Sequence, residues 1–293
     1  MGKPDDGWMA VMVREATLLV DVGALLANPV FYGIRVPPGD GKLVVIIPGF
    51  MGNDFYLLPM LNWLNRIGYT PVPSSLNPSA GCLRRSCEQV QNEIDRQLSR
   101  KQRTLAIIGH SRGGLVARAL AAQMQAQVSH VVMLGAPVPG VYRSVEDGSQ
   151  SIRVSEVTRM VLDANRLSSR VLDPRCRFPA CECAYIKYAE HPLSQETGLL
   201  SIYGSDDLVI PDAAKMLDGK VIHVPTAHVG LVYHPEVYRM VDQFLSSDPA
   251  SSNTKPRPPA LRSQSGPRRL IPLGRQAEEG AHIGSMQTSA DEY

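Results

Sequence analysis

Short apolar runs alternate with amphipathic stretches along the middle of the chain. The run Leu43–Ile47 (LVVII) is wholly apolar and ends at Pro48-Gly49, which predicts a buried strand. A weaker strand is predicted over Tyr69–Ser75, near a sheet edge because two prolines interrupt it. Further strands are predicted for TLAII, HVVML, GLLSIY and KVIHV, at residues 104–108, 130–134, 198–203 and 220–224.

Between these strands the apolar residues recur at helical spacing. Leu57, Leu61 and Leu64 predict a helix over Asn53–Arg66, which Gly68 follows. Other helices are predicted at residues 87–100, 112–125, 151–172 and 235–245. Strands that alternate with helices through short connections favour a parallel sheet covered on both faces. The pattern therefore predicts an α/β protein with a doubly wound, mostly parallel sheet of about six strands.

Two regions depart from this alternation. Residues 138–197 separate two predicted strands by a segment much longer than an ordinary connection, and we expect a helical, lid-like insertion that covers the pocket. Residues 247–293 are rich in Ser, Pro, Gly and Arg without hydrophobic periodicity, which predicts a disordered tail. The folded core is then residues 40–246, preceded by a helical segment at 1–39. Plausible pocket-lining residues in the insertion are Val138, Val141, Met160 and Leu167.

The N-terminal segment does not have the pattern of a signal peptide. Asp5 and Asp6 offset its early lysine, and charged residues at 14, 15 and 21 interrupt its apolar stretch. We expect a helix that docks on the core. Contact with a membrane surface is the alternative, through Trp8, Met9, Met12 and Leu18.

Composition narrows the class of protein. The 293 residues carry a formal net charge of +2, with 44% hydrophobic and 20% charged residues. A balance this close to neutral argues against nucleic acid as a partner, and no apolar run reaches the roughly 18 residues of a membrane span. We expect a cytoplasmic protein, with peripheral membrane contact left open and the oligomeric state undetermined.

The five cysteines do not have the spacing of a structural zinc site or the even count of a disulfide framework. Buried or incidental thiols are the favoured interpretation. A Cys82–Cys87 disulfide or a metal site is the alternative.

Gly109-His110-Ser111-Arg112-Gly113-Gly114 joins the strand TLAII to a helix. The bare G-x-S-x-G pattern is weak evidence by itself, but a strand that runs directly into a helix forces a sharp turn at its central residue. Glycines two residues away on either side remove the Cβ atoms that would clash. Ser111 is therefore a candidate nucleophile, and an ordinary glycine-rich turn is the alternative.

A serine nucleophile needs a base and a carboxylate that orients the base. Asp206 and Asp207 follow GLLSIY, and His228 follows KVIHV. All candidates thus fall at carboxyl ends of strands, on one edge of a parallel sheet. Other histidines fit structural roles: His223 packed within a strand, and His234 capping the last helix.

An acyl-transfer reaction also needs donors for an oxyanion. One candidate is the backbone N–H of Arg112 at the helix start. The other lies in Pro48-Gly49-Phe50-Met51-Gly52, where the N–H of Phe50 is our choice and that of Met51 the alternative. A plain Pro-Gly turn is the structural interpretation of this loop.

Taken together, these segments resemble the α/β-hydrolase superfamily, in particular its small lipase- and esterase-like members. The matching stretches are IIPGFMGN, IIGHSRGGLVAR, VVMLGAPVPG, IYGSDDLVIP and AHVGLVYHPEVY, in that order over roughly residues 40–246. In the G-x-x-D-x-x-V-P pattern of the superfamily, Gly204 and Pro211 select Asp207 rather than Asp206 as the acid. The usual N-terminal antiparallel strands are not evident. Arg112 also departs from the more common Met, Leu or Gln, and its charge suggests a polar or anionic substrate.

The resemblance implies a serine hydrolase of carboxylic esters, with Ser111 as nucleophile, His228 as base, Asp207 as orienting acid, and Phe50 and Arg112 as oxyanion donors. Its substrate is a small-molecule ester or lipid, and it implies no metal or cofactor. The rival functions are an acyltransferase with the same triad and a non-catalytic binding protein on the same fold.

Overall fold

The structure is a computed structural model that describes residues 12–13, 15–98, 104–137, 156–174, 176, 189–210 and 219–252. The described strands are β1 (Leu43–Ile47), β2 (Thr70–Pro73), β3 (Leu105–His110), β4 (Val128–Leu134), β5 (Gly198–Gly204) and β6 (Lys220–Val224). The described helices are α1 (Leu18–Leu26), α2 (Leu58–Arg66), α3 (Leu83–Gln97), α4 (Arg112–Met124), α5 (Glu156–Leu172) and α6 (Pro235–Leu245). Short 3₁₀ turns include Pro29–Tyr32, Asp54–Leu57 and Val229–Val232.

All six described strands pair in parallel, in the order β2-β1-β3-β4-β5-β6. This confirms the predicted fold class, and the described part of the sheet contains no antiparallel pair. β2 lies at an edge of the sheet and pairs only with β1. A proline is tolerated there, because an edge strand has a side on which no neighbouring strand needs its N–H. The domain limits at 39/40 and 246/247 stay predictions.

Alternating strand residues divide the core between the two faces of the sheet. On β1, Leu43, Val45 and Ile47 belong to the apolar cluster that includes α3 and α4, whereas Val44 and Ile46 belong to the cluster of α1, α2 and α6. This two-residue period explains why the strand is apolar throughout, since both of its faces are covered by helices.

Two predicted helices differ from the structure by more than one residue. The helix expected over Asn53–Arg66 is divided into the 3₁₀ turn Asp54–Leu57 and α2, because Pro59 lacks an N–H and its ring would clash with a carbonyl of the preceding turn. α3 starts at Leu83, four residues earlier than predicted. The helix expected at 151–172 is described from Glu156, and residues 151–155 lie outside the described residues.

The structure also describes several single residues for which the sequence predicts a role or an environment. His234 accepts a hydrogen bond from the N–H of Glu236 at the start of α6, which confirms its capping role. His223 was expected to be packed, but it is exposed because β6 is an edge strand. Cys82, Cys87 and Cys176 are buried thiols, and no disulfide joins Cys82 to Cys87. Residues 253–293 of the tail, and Val138 and Val141, lie outside the described residues.

α1 has an unusual distribution of polarity. Its buried residues are Asp21 and Leu25, whereas the side chains of Leu19 and Val20 are 80% and 70% exposed. The carboxylate thus faces the protein and apolar residues face solvent. Within the described part of the chain, no helix is both long and apolar enough to span a membrane.

We predict that acid weakens the fold through His130. Burial, together with the charge of Lys42, lowers the pKa of His130 to about 4, below an ordinary value of 6.5. Between about pH 6.5 and pH 4, this histidine therefore binds a proton in the unfolded chain but not in the folded chain. The free energy of unfolding falls by up to about 1.4 kcal/mol per pH unit as the pH decreases through this range.

Urea unfolding at pH 7 and pH 5 measures this effect. His130→Gln should reduce the pH dependence by about one proton, and His223→Gln at the exposed sheet edge is the control. Equal pH dependence in wild type and His130→Gln would contradict the assignment.

Candidate active site

Ser111 occupies a strained turn between β3 and α4. Its backbone has φ 53° and ψ −122°, outside the regions that non-glycine residues favour. The N–H of Ser111 donates to the carbonyl of Leu134 at 2.7 Å, so the turn is fixed to the end of the neighbouring strand β4. Strain of this kind persists only where the surrounding structure enforces it.

The glycines on either side of Ser111 allow the turn to pack. A Cβ atom on Gly109 would lie 2.3 Å from the carbonyl oxygen of Gly113, and one on Gly113 would lie 2.3 Å from that of Ile47. These contacts are with backbone, which cannot move aside as a flexible side chain can. The spacing of glycines therefore has a steric cause in this structure.

Asp207 and His228 form a buried pair at the same edge of the sheet. The Nδ1 of His228 donates to Oδ2 of Asp207 at 2.7 Å, while Oδ1 of Asp207 accepts the N–H groups of Val209 and Ile210, both at 2.9 Å. Asp206, the alternative acid, is exposed, and its backbone N–H donates to the carbonyl of Thr226.

The pairing raises the pKa of His228. Burial by itself would lower this pKa, but the charge of Asp207, its hydrogen bond and the charge of Glu15 outweigh burial. Because Nδ1 carries the hydrogen that Asp207 accepts, Nε2 of the neutral ring is an acceptor. A ring held in this tautomer is able to take a proton from a nearby hydroxyl.

Ser111 and His228 converge on the end of β4. The residue after Leu134 is Gly135, and a Cβ atom built there would lie 3.0 Å from ring atoms of His228. His110, next to Ser111, has its ring centroid 4.9 Å from that of His228. The three residues singled out for nucleophilic chemistry are thus gathered at one place.

A chain of hydrogen bonds connects the loop after β1 to the loop of His228. The N–H of Gly49 donates to the hydroxyl of Tyr56 at 2.7 Å, and that hydroxyl lies 3.0 Å from Nδ1 of His110. On its other side, Nε2 of His110 lies 3.1 Å from the carbonyl oxygen of His228. A carbonyl only accepts, so Nε2 of His110 carries the hydrogen and Nδ1 accepts from Tyr56.

This chain requires a neutral His110. Burial, helped by the nearby charge of His228, lowers the pKa of His110 to about 3. In the sequence, His110 is recognisable only as the residue before Ser111. Its position between two loops became visible only from the fold.

The loop after β1 offers one backbone donor that is not already used. The N–H of Met51 donates to the carbonyl of Ser79 at 2.9 Å, and that of Gly49 donates to Tyr56. Among the described residues the N–H of Phe50 has no acceptor, and Phe50 borders the same cleft as Ser111 and Arg112. The geometry therefore favours Phe50 over Met51 as a donor to a bound group.

Arg112 directs its side chain into the protein. The guanidinium donates to the carbonyl of Gly81 at 2.8 Å and to the hydroxyls of Ser79 and Ser86 at 3.2 and 3.1 Å, and the residue is 3% exposed. The expectation that its charge selects a polar or anionic substrate is therefore not supported, because these contacts already occupy it. Its role here is to join α4 to the loop before α3.

One face of α5 covers the cleft beside Ser111. Besides Phe50 and Arg112, the cleft is lined by Pro137, Thr158, Val161, Leu162, Asn165, Val209 and Ile210. The prediction that Met160 and Leu167 line it is wrong, since they lie on the other face of the helix and are more than half exposed. Helical periodicity separates the two sets, because 158, 161, 162 and 165 share one face.

No group of three or more His, Cys, Asp and Glu side chains that could hold a metal ion occurs among the described residues.

The sheet order and the turns that carry these residues are those of the α/β-hydrolase fold. More narrowly, the model of the palmitoyl protein thioesterase family matches residues 64–195, less than half of the chain. That match includes Ser111 but neither Asp207 nor His228. The fold and this match support hydrolase activity.

Solved structures with a similar fold are distant in sequence. Est1E from Butyrivibrio proteoclasticus is 18% identical, with a TM-score of 0.47, and the match covers 72% of this chain and 90% of that one. The monoacylglycerol lipase of Paleococcus ferrophilus is 13% identical, with a TM-score of 0.46 and coverage of 72% and 96%. A search of curated protein sequences found no match.

We predict that Gly113→Ala disrupts the turn at Ser111. The added methyl group would meet two backbone oxygens, those of Ile47 and Pro48, at 2.3 and 2.7 Å, and overpacking of this kind costs about 1–3 kcal/mol. Thermal and urea unfolding measure the loss.

Gly23→Ala is the matched control, because nothing lies within 4 Å of its Cβ position in α1. Alanine there should stabilise the helix by up to about 1 kcal/mol. A Gly113→Ala protein as stable as wild type would show that the close approach is not required.

Proposed function

We propose that the protein is a serine hydrolase that cleaves carboxylic esters through an acyl-enzyme intermediate. The observation that carries this proposal is the buried Asp207–His228 hydrogen bond at the sheet edge where Ser111 is held in a strained turn. A nucleophile, a base and an orienting acid at one site are the parts that acyl transfer requires. The turn at Ser111 then acts as a nucleophile elbow.

In the proposed reaction, Oγ of Ser111 attacks the ester carbonyl carbon and Nε2 of His228 takes the hydroxyl proton. Asp207 keeps Nδ1 protonated and stabilises the imidazolium that forms. The tetrahedral intermediate collapses, the bond to the leaving alcohol breaks, and His228 passes its proton to that alcohol. Water then attacks the acyl-enzyme by the same sequence and releases the acid.

The negative oxygen of the tetrahedral intermediate needs preorganised donors. The proposed donors are the N–H groups of Phe50 and Arg112. Phe50 is supported by the hydrogen bonds that occupy the N–H groups of Gly49 and Met51. Tyr56 supports this arrangement as well, because it fixes Gly49 one residue before Phe50.

The substrate class follows from the cleft lining and the family match. Val161, Leu162, Val209 and Ile210 give the cleft an apolar wall, which suits the hydrocarbon part of an acyl group. The match to the palmitoyl protein thioesterase family favours thioesters as a second candidate. Both reactions use the same acyl-enzyme, and only the leaving atom differs.

Ser111→Ala should abolish hydrolysis while the protein stays folded. Removal of a serine nucleophile lowers kcat by about three to six orders of magnitude. Alanine and serine are equally strained by the backbone conformation of this turn, so the variant should fold like wild type. The measurements are p-nitrophenyl ester hydrolysis and labelling by a fluorophosphonate probe.

Ser205→Ala, at an exposed serine after β5, is the control and should label and turn over like wild type. Labelling of folded Ser111→Ala at the wild-type rate would refute the assignment.

A series of acyl chain lengths tests the substrate class. We expect kcat/KM for p-nitrophenyl esters to rise by about fourfold per methylene over short chains, because each buried methylene contributes about 0.8 kcal/mol. Leu162→Ala, which shortens an apolar wall residue, should reduce this rise.

Thioesters with the same acyl groups, followed by thiol release, compare the two candidates. A kcat/KM higher for thioesters than for oxygen esters at every chain length favours the second candidate. No dependence on chain length would contradict an apolar acyl site.

A further inference from the structure

Glu15 contacts the loop that carries His228 from far away in the sequence. Its Oε1 accepts the N–H of His228 at 3.0 Å, and its Oε2 accepts the N–H of Val229 at 3.1 Å. Both oxygens of one carboxylate thus bind two successive backbone groups. The contact joins residues more than 200 positions apart, and no sequence motif indicates it.

These two N–H groups belong to the start of a 3₁₀ turn. Val229–Val232 forms the turn with His228 at its N-terminal cap, and the side chain of His228 makes no capping hydrogen bond because it is directed to Asp207. The first N–H groups of such a turn need acceptors from outside it, and a carboxylate also complements their positive dipole. Glu15 supplies the cap that the histidine itself cannot supply.

Glu15 is also part of the electrostatic environment of the imidazole. The groups that face His228 are Asp207 from the loop after β5, Glu15 from the N-terminal segment and His110 from the end of β3. His110 is neutral, since its pKa is lowered to about 3. The two carboxylates therefore dominate, and burial raises the pKa of Glu15 itself.

A second contact shows that the N-terminal segment follows this loop over several residues. The hydroxyl of Thr226 donates to Oδ2 of Asp21 at 2.6 Å. Asp21 binds a side chain two residues before His228 and makes no contact with the backbone N–H of the histidine. Substitution of Asp21 therefore tests support of the loop in general, whereas substitution of Glu15 tests support of His228 itself.

We propose that Glu15 is a positioning residue for His228, which fixes the backbone of the histidine and supplies a second negative charge to its imidazolium during the proposed hydrolysis. The inference rests on the proposed function for its effect on rate. Its effect on the titration of His228 does not depend on that function.

The test compares Glu15→Gln with Asp21→Asn. Glutamine keeps the size of the side chain, removes the charge, and places an NH₂ group against one of the two N–H donors. We expect kcat for a p-nitrophenyl ester to fall on the order of tenfold with little change in KM, since small misplacement of a reacting group lowers the rate. Loss of the negative charge should also lower the pKa of His228, which moves the acid limb of kcat/KM to lower pH.

Asp21→Asn should lose stability through Thr226 but keep the wild-type kcat and acid limb. A folded Glu15→Gln protein with wild-type kcat and an unmoved acid limb would overturn the proposal. The proposal is also overturned if both variants change kcat and the acid limb equally, because the effect would then come from general support of the loop.

Two further measurements keep the test decisive. Glu15→Asp retains the charge but is one methylene too short to reach both N–H groups, so we expect lower kcat with an unmoved acid limb. This variant serves if Glu15→Gln does not fold, and a wild-type kcat in it would overturn the proposal.

NMR titration of the His228 ring, compared between wild type and Glu15→Gln, needs no substrate. If wild type hydrolyses no ester or thioester, the proposed function fails, yet a lower pKa of His228 in Glu15→Gln still supports its electrostatic part. An identical titration in the two proteins overturns that part whatever the activity.

Discussion

The parallel direction of the described strands is the constraint on which the site depends. Parallel strands bring their carboxyl ends to one edge, so the residues after β3, β5 and β6 meet although almost 120 positions separate Ser111 from His228. β4 lies between β3 and β5, and its end supplies the carbonyl that holds the N–H of Ser111. An antiparallel strand among these would send one of the three groups to the opposite edge.

Burial gives this edge its chemical character. A buried histidine ordinarily loses its affinity for a proton, and His110 does so, whereas His228 keeps a raised pKa because carboxylates surround it. Two imidazoles whose centroids lie 4.9 Å apart thus differ in charge behaviour. The neutral ring carries hydrogen bonds between loops, and the other is suited to proton transfer. The environments of the two histidines, rather than their residue type, determine which ring stays neutral and which has a raised pKa.

Much of the fold was predictable because the four central strands are buried on both faces and therefore form apolar runs. β1, β6 and α6 were predicted with the boundaries that the structure has. The close pairing of Asp207 with His228 was also foreseen, from an ordered set of local patterns. Glu15, Tyr56 and the inward path of the Arg112 side chain were not, because each depends on a tertiary contact between distant segments. Met160 was misplaced for a different reason: an amphipathic helix has two faces, and its pattern does not say which of them covers the site.

The hydrogen bond from Ser111 to Leu134 continues the β3–β4 ladder past the end of the strand, and the N–H of Gly135 extends the next ladder to Ile202. The amides of the strained turn and of the glycine beneath the histidine are therefore rungs of the central sheet. Their exchange with solvent deuterium requires the opening of the centre of the sheet, whereas edge strands and surface loops can open locally. The strained turn at Ser111 thus shares the slowest motions of the protein.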